Sequence, residues 1–361
     1  MIKKTPVITV KIKNEVVGRL ALSPDGLAVF EYEKEWIEKG FSVSPFYLPL
    51  KQGVYVARPQ PFQGNFGIFA DSLPDGWGNL LLDRLLKKYQ INPYTISILE
   101  RLGLVGSQGM GALCYEPEQS FTQKYIKADL EFLASEAKKI LNDETDSNSL
   151  ELLHQQAASS AGARPKVMIK HKNEYWLVKF SSSSDLATIG EIEYRYSLLA
   201  QKVGLEMPET KLFEGKYFGV KRFDRTGEER HHIHSAAGLL NADFRLPSLD
   251  YTELIKACRG LTRNAEEVEK IFRLMVFNVL IGNKDDHAKN FSFMYMDGKW
   301  KFTPVYDVLP SNGFNGNHST TIAGQGKPEK KDIFKVAAIS SISEKKALQI
   351  YEEVADQINK P

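Results

Sequence analysis

The sequence predicts an α+β protein with a β-rich N-terminal subdomain and a mostly helical C-terminal lobe. Three observations lead there. Residues 7–12 and 15–22 alternate apolar and polar positions, the mark of strands with one buried face. A loop of small residues near 160 runs into two further strand-like stretches and a helix. Beyond about residue 250 the apolar spacing changes to the helical period.

Residues 7–12 and 15–22 read as a hairpin turned at Lys13-Asn14, and Gly53–Ala57 as a short strand. In "FADSLPDGWGNLLLDRLLKKY" (69–89), Ser72, Asp75 and Gly76 start a helix with Leu80, Leu81, Leu82, Leu85 and Leu86 on its apolar face. A glycine-rich stretch, 103–111, leads into the apolar run 112–115, and 116–124 and 143–149 are polar breaks. Ser159–Lys166 is a small-residue loop before the strand 167–170. Glu174–Phe180 is a second strand, 190–203 a helix and Lys216–Arg222 a third strand. Val268, Ile271, Phe272, Met275 and Val279 line one side of a helix that stops at Gly282. Phe291–Tyr295 and Trp300–Phe302 make a hairpin around Asp297-Gly298.

Composition narrows the function classes. The chain has 361 residues, 42% hydrophobic and 25% charged, with a formal charge of +2. No strong field marks nucleic acid as the main partner, and direct nucleic-acid binding is not expected. Cys114 and Cys258 lack metal spacing and suit a reducing cytoplasm. No stretch reaches the roughly 18 apolar residues of a membrane span. The run His231–His234 is expected to be a polar strand and not a metal site, because no third ligand lies close in sequence. Gly106, Gly109 and Gly111 precede a strand, which fails the dinucleotide fingerprint.

The chemistry concentrates in "GNKDDHAKNFSF" (282–293) and "PVYDVLP" (304–310). Phosphoryl transfer needs a carboxylate to orient the acceptor hydroxyl, oxygen ligands for magnesium, and a lysine and a backbone loop on the phosphates. Asp285 and Asn290 have the D-x-x-x-x-N spacing of a kinase catalytic loop. Asp307 follows at the exit of the hairpin, where a second metal ligand belongs. Lys179 is a single lysine in an apolar strand just after the small-residue loop. Taken singly, each has a plainer explanation, since an Asp with a nearby Asn commonly caps a turn and a strand lysine commonly snorkels. Their order along the chain is what points to a two-lobed, protein-kinase-like fold.

The same residues carry a family resemblance. Through "FADSLPDGWG", "VGSQGMGAL", "SSAGARPKV", "WLVKF", "VKRFDR", "GNKDDHAKNFSF" and "YDVLP", residues 69 to 310 resemble the HipA-type serine/threonine kinases, toxins of bacterial toxin–antitoxin modules. The D-x-H-x-x-N pattern of Asp285, His287 and Asn290 is also similar to phosphoinositide kinases, which keeps a lipid kinase as an alternative, beside a catalytically silent antitoxin-binding protein.

The resemblance implies three regions: 1–120 β-rich, 121–225 nucleotide-binding with the phosphate loop, and 226–361 helical with the catalytic loop. It implies ATP and Mg2+, with Asp285 as the base and Asn290 and Asp307 as metal ligands. Lys179, Ala161, Gly162, Ala163, Lys166 and His287 fall on the nucleotide side, and His287 is also expected to brace the catalytic loop. Glu193 is a candidate partner for Lys179, and Asp286 the next candidate base. Ser159, or else Ser160, matches an autophosphorylated position, although Pro165 stiffens a loop that would have to move. The implied partners are a protein substrate and an antitoxin with a helix-turn-helix DNA-binding domain, in the cytoplasm and away from membranes.

Overall fold

The computed structural model describes residues 2–121, 128–144, 147–157, 162–182 and 185–360. Ser159, Ser160 and Ala161 lie outside the described residues. The chain divides into two compact units, 1–191 with 211–232, and 192–210 with 233–361.

Two larger sheets lie in the first unit, beside the short pairing of Arg225–Thr226 with Glu229–Arg230. Strands β1 (Val7–Ile12), β2 (Glu15–Leu22), β3 (Ala28–Tyr32), β4 (Val54–Val56) and β5 (Leu113–Glu116) form a five-stranded sheet in the order β4-β3-β2-β1-β5. The expected hairpin is present, with Ile12 opposite Glu15 and Lys13 at φ +56° in the turn. The alternation of β1 puts Ile8, Val10 and Ile12 into a core shared with Leu20, Phe30 and Phe69. Strands β6 (Lys166–His171), β7 (Glu174–Lys179), β8 (Thr210–Phe213) and β9 (Tyr217–Lys221) form a four-stranded sheet in the order β6-β7-β9-β8. Val167, Trp176, Val178 and Phe213 pack from it onto Trp77, Leu81 and Leu85 of the helix Gly76–Lys88. That helix starts where the sequence places it, with Asp75 accepting a hydrogen bond from the Gly76 N–H at 2.9 Å.

The glycine-rich stretch 103–111 is only partly a loop. Its first residues finish the helix Ile98–Val105, which carries a Ser97/Glu100 capping box and stops at Gly106. The remainder is held by a buried charge cluster. Asp224 accepts from the Gly111 N–H at 2.8 Å and pairs with Arg222 and Arg225, each at 2.7 Å. Arg225 donates onward to the Gly109 carbonyl, and Arg230 to those of Ser107, Gly111 and Leu113. "VGSQGMGAL" and "VKRFDR" are therefore two sides of one clamp.

In the second unit the helix Ala265–Ile281 packs against the helices Tyr251–Thr262 and Glu344–Asn359. Val268, Ile271, Phe272 and Met275 are buried as their spacing predicts, and so are Leu274, Val276 and Phe277, because the helix has neighbours on more than one side. Gly282 caps it at φ +72°. The hairpin Ser292–Met296 with Lys299–Phe302 follows, turned by Asp297 and Gly298, both at positive φ. The strand His232–Ser235 completes this sheet. Within the first unit, His232 is buried and donates from Nε2 to the Val43 carbonyl at 2.8 Å, and His231 meets the Thr226 hydroxyl at 2.9 Å. Among the described residues no helix is long and apolar enough to cross a membrane.

Candidate functional site

In the second unit the segment 283–290 leaves the capped helix and is tied at nearly every residue. Asn283, almost wholly buried, donates to the Asn278 side chain at 3.1 Å and to the Asp307 carbonyl at 3.2 Å. The backbone N–H groups of Lys284 and Asp285 both donate to the Ser311 hydroxyl, at 2.9 and 2.7 Å. Asn290 Nδ2 donates to the Asp285 carbonyl at 2.7 Å, which leaves the amide oxygen as its acceptor. The Tyr306 hydroxyl donates to the Lys289 carbonyl at 2.8 Å and meets Ser292 at 2.6 Å, so the residue before Asp307 straps the turn Ala288–Asn290.

The two neighbouring acids part company here. Asp285 is exposed, whereas Asp286 is 1% exposed. One Asp286 oxygen accepts from the Tyr251 hydroxyl at 3.0 Å and His318 Nδ1 at 2.9 Å. The other accepts from the N–H groups of Ser319 and Thr320, at 2.9 and 3.3 Å. A carboxylate so enclosed and so fully used has no access to an acceptor hydroxyl, and Asp286 drops out as a candidate base. The bracing expected of His287 is supplied by Asp286, Asn283 and Ser311; His287 Nδ1 is buried with no hydrogen-bond partner among the described residues.

Asp307 sits at φ +52°, a left-handed conformation that costs a non-glycine residue about 1–3 kcal/mol unless its surroundings hold it. Its carbonyl bond from Asn283 is one such hold. The amide oxygen of Asn290 and the Asp307 carboxylate are both oxygen donors, the type that would suit a hard cation such as Mg2+.

The lysines belong to the first unit. Lys166 and Lys179 are register partners across the β6–β7 hairpin, so their side chains leave the same face of the sheet. Like charges directly opposite one another repel, and an anion between them relieves that repulsion. The Lys179 ammonium lies 5.7 Å from the Phe218 ring centroid. Lys166 is almost wholly buried, and a Cβ built on Gly162 would lie 2.6 Å from its Nζ. Gly162 is at φ +91°, where a side chain is disfavoured as well as obstructed.

Several contributors escaped the sequence reading. Gly76 has no room for a Cβ, which would lie 2.7–2.9 Å from the backbone of Gly162 and Ala163. Trp77 donates from its backbone to the Gly162 carbonyl at 3.1 Å and from its indole to the Lys166 carbonyl at 3.2 Å. "DGWG" thus shapes the segment 162–166 from a distance of about ninety residues. Arg164 pairs with Asp185 at 3.0 Å. Burial pushes the Asp185 carboxyl up, but the Ser182 N–H and hydroxyl together with Arg164 hold it below the usual range. Glu193 is buried on the helix Ile189–Lys202.

A helical unit presenting a D-x-x-x-x-N loop followed by a hairpin and a further Asp, in one chain with a lysine-bearing antiparallel sheet, defines a kinase-like fold. More narrowly, the chain belongs to the HipA family: the HipA N-terminal domain matches residues 8–116 and the HipA-like C-terminal domain residues 158–361. It is 23% identical to Y4dM of Sinorhizobium fredii, provisionally named a kinase, over 98% of this chain and 90% of that protein. A second protein provisionally named a kinase, from Haemophilus influenzae, is 26% identical over 43% of this chain and 53% of its own length. The fold is similar to that of a chain in the Shewanella oneidensis MR-1 complex of HipA, HipB and operator DNA. The TM-score is 0.73 at 19% identity, covering 97% of this chain and 88% of that one.

Proposed function

We propose that this protein is an ATP-dependent serine/threonine protein kinase acting as the toxin of a toxin–antitoxin module. The observation that carries the reading is the contrast between Asp285 and Asp286. One acid is exposed on a fully strapped loop, and its neighbour is consumed in holding that loop. A rigidly held, accessible carboxylate is what a general base requires.

The acceptor hydroxyl gives its proton to Asp285 as its oxygen bonds to the γ-phosphorus, and the bond from that phosphorus to the ADP oxygen breaks. Asn290 and Asp307 would hold magnesium, which when bound draws charge from the phosphates. Lys166 and Lys179 receive phosphate oxygens, with the backbone of Gly162 and Ala163 beside them. His287 lies on the nucleotide side, and its buried, partnerless Nδ1 supports a ligand there, because such atoms are normally paired. The Ser159–Lys166 loop is the site of autophosphorylation, on Ser159 before Ser160.

An antitoxin with a helix-turn-helix DNA-binding domain is the expected partner, supported by the presence of HipB and operator DNA in the Shewanella complex. The substrate is a cellular protein, and the favoured class is a translation component whose modification arrests growth. The test is incubation of purified protein with radiolabelled ATP, magnesium and cell lysate, beside Asp285→Asn. Label on protein with wild type, reduced about 10²–10⁴-fold in the variant, is the expected result. Label on lipid alone, or equal activity of the two proteins, would overturn the reading.

A further inference from the structure

We propose that the segment 311–324, which follows Asp307, is a latch whose docking sets the working position of Asp285, with Asp286 and His318 as the positioning residues that transmit it. This rests on the phosphotransfer reading of Asp285.

Three pieces of chain meet at this point, all within the second unit: the loop 283–286, the start of the helix Tyr251–Thr262, and the latch. The latch approaches the loop from two sides. On one side the Ser311 hydroxyl receives the N–H groups of Lys284 and Asp285. On the other, Ser319 donates its N–H to the Lys284 carbonyl at 3.0 Å, and the Thr320 hydroxyl donates to the Asp286 carbonyl at 2.6 Å. Between them lies the buried Asp286 carboxylate, with His318, Ser319 and Thr320 supplying three of its four donors. The fourth, the Tyr251 hydroxyl, is fixed by Asn278 Nδ2 at 3.0 Å.

A second carboxylate anchors the far end of the latch. Asp250 accepts from the Thr321 hydroxyl at 2.6 Å and the Gly324 N–H at 2.8 Å, while Leu249 and Asp250 pair in parallel with Thr320 and Thr321. Asp250 also caps the helix through Thr252. Release of 318–320 removes the ties to the Lys284 and Asp286 carbonyls on the two sides of Asp285 and leaves its N–H held by Ser311 and its carbonyl by Asn290. Displacing a reacting group by about 1 Å can cost about 10²-fold in rate, so an undocked latch leaves the nucleotide site formed and the chemistry slow.

The alternative is that His318 merely fills space, and two substitutions separate these roles. His318→Asn places an amide donor near the position of Nδ1 and shortens the side chain. His318→Leu keeps apolar bulk and removes the donor. Positioning predicts that Asn retains most of kcat, while Leu lowers it about 10²-fold with little change in the KM for ATP. Space filling predicts the reverse order. Amide hydrogen exchange gives a readout that does not depend on activity: His318→Leu should speed exchange at Asp285, Ser319 and Thr320 at least tenfold, and His318→Asn should not. If wild type transfers no phosphate, the kinase reading fails while the exchange comparison still decides the latch. Should His318→Leu not fold, Tyr251→Phe, which deletes one donor to the same carboxylate, takes its place in both measurements. Wild-type exchange at those amides in the donor-deleting variant, or a kcat lower for Asn than for Leu, overturns the proposal.

Discussion

Replacing Asp224 by Asn should remove stability at neutral pH and spare it in acid. Asp224 is 1% exposed, and the side chains of its partners Arg222 and Arg225 are 10% and 9% exposed. Burial pushes its carboxyl up, but the two guanidinium groups and the Gly111 N–H outweigh it and bring the pKa from 3.8 down to about 2. At about 1.4 kcal/mol per pH unit, that difference is worth about 2 kcal/mol. The folded value lies below the unfolded one. The contribution is therefore complete above about pH 5 and is lost as the pH falls through 3.8 towards 2. The Asn variant keeps the shape but leaves two buried cations without their counter-charge, so its deficit at pH 7 should be at least as large, about 3–5 kcal/mol. Urea unfolding of both proteins from pH 7 to pH 2.5 isolates the effect, because the other carboxylates titrate alike in each. The gap should shrink by about 1–2 kcal/mol across the acid range. A gap that stays constant would show that Asp224 does not titrate as its surroundings require.

Lys166→Ala and Lys179→Ala should each weaken ATP binding, seen as a smaller rise in melting temperature with ATP and magnesium than wild type gives, since a ligand specific to the folded state stabilises it; an unchanged rise in both would remove the lysine pair from the nucleotide site. Intact mass after incubation with ATP and magnesium should show one added phosphate on Ser159 in wild type and none in Asp285→Asn. With Arg164 already engaged by Asp185, that phosphate, at about −1.5 to −2 charges, has one fewer ready cation nearby and should drive the loop away from ATP, so the modified protein should lose nucleotide binding; protein that stays unmodified refutes the switch.

What was legible in the sequence was local. Period placed the helix ending at Gly282 and the hairpin around Asp297-Gly298, and a five-residue spacing singled out Asp285 and Asn290, which a hydrogen bond from the Asn290 amide to the Asp285 carbonyl joins. What was hidden depends on partners far away along the chain. Asn283 reads as a turn residue after Gly282, yet its amide joins Asn278 to the Asp307 carbonyl. Gly76 reads as the start of a helix, yet the missing Cβ makes room for Gly162 and Ala163. The register of β6 and β7 was within reach, since pairing the two strands around Lys172-Asn173 brings Lys166 opposite Lys179.

The pair Asp285-Asp286 shows why spacing alone stops short of a mechanism. Both acids lie within reach of the same motif, and nothing in "KDDH" separates a base from a brace. The separation comes from His318, Ser319, Thr320 and Tyr251, donors more than thirty residues to either side. A buried carboxylate is tolerated only when its oxygens are satisfied. The donors that satisfy Asp286 therefore also fix which neighbour faces solvent. The polar residues after Asp307 look like loop filler in the sequence, but through this requirement they decide which acid is buried and which faces solvent.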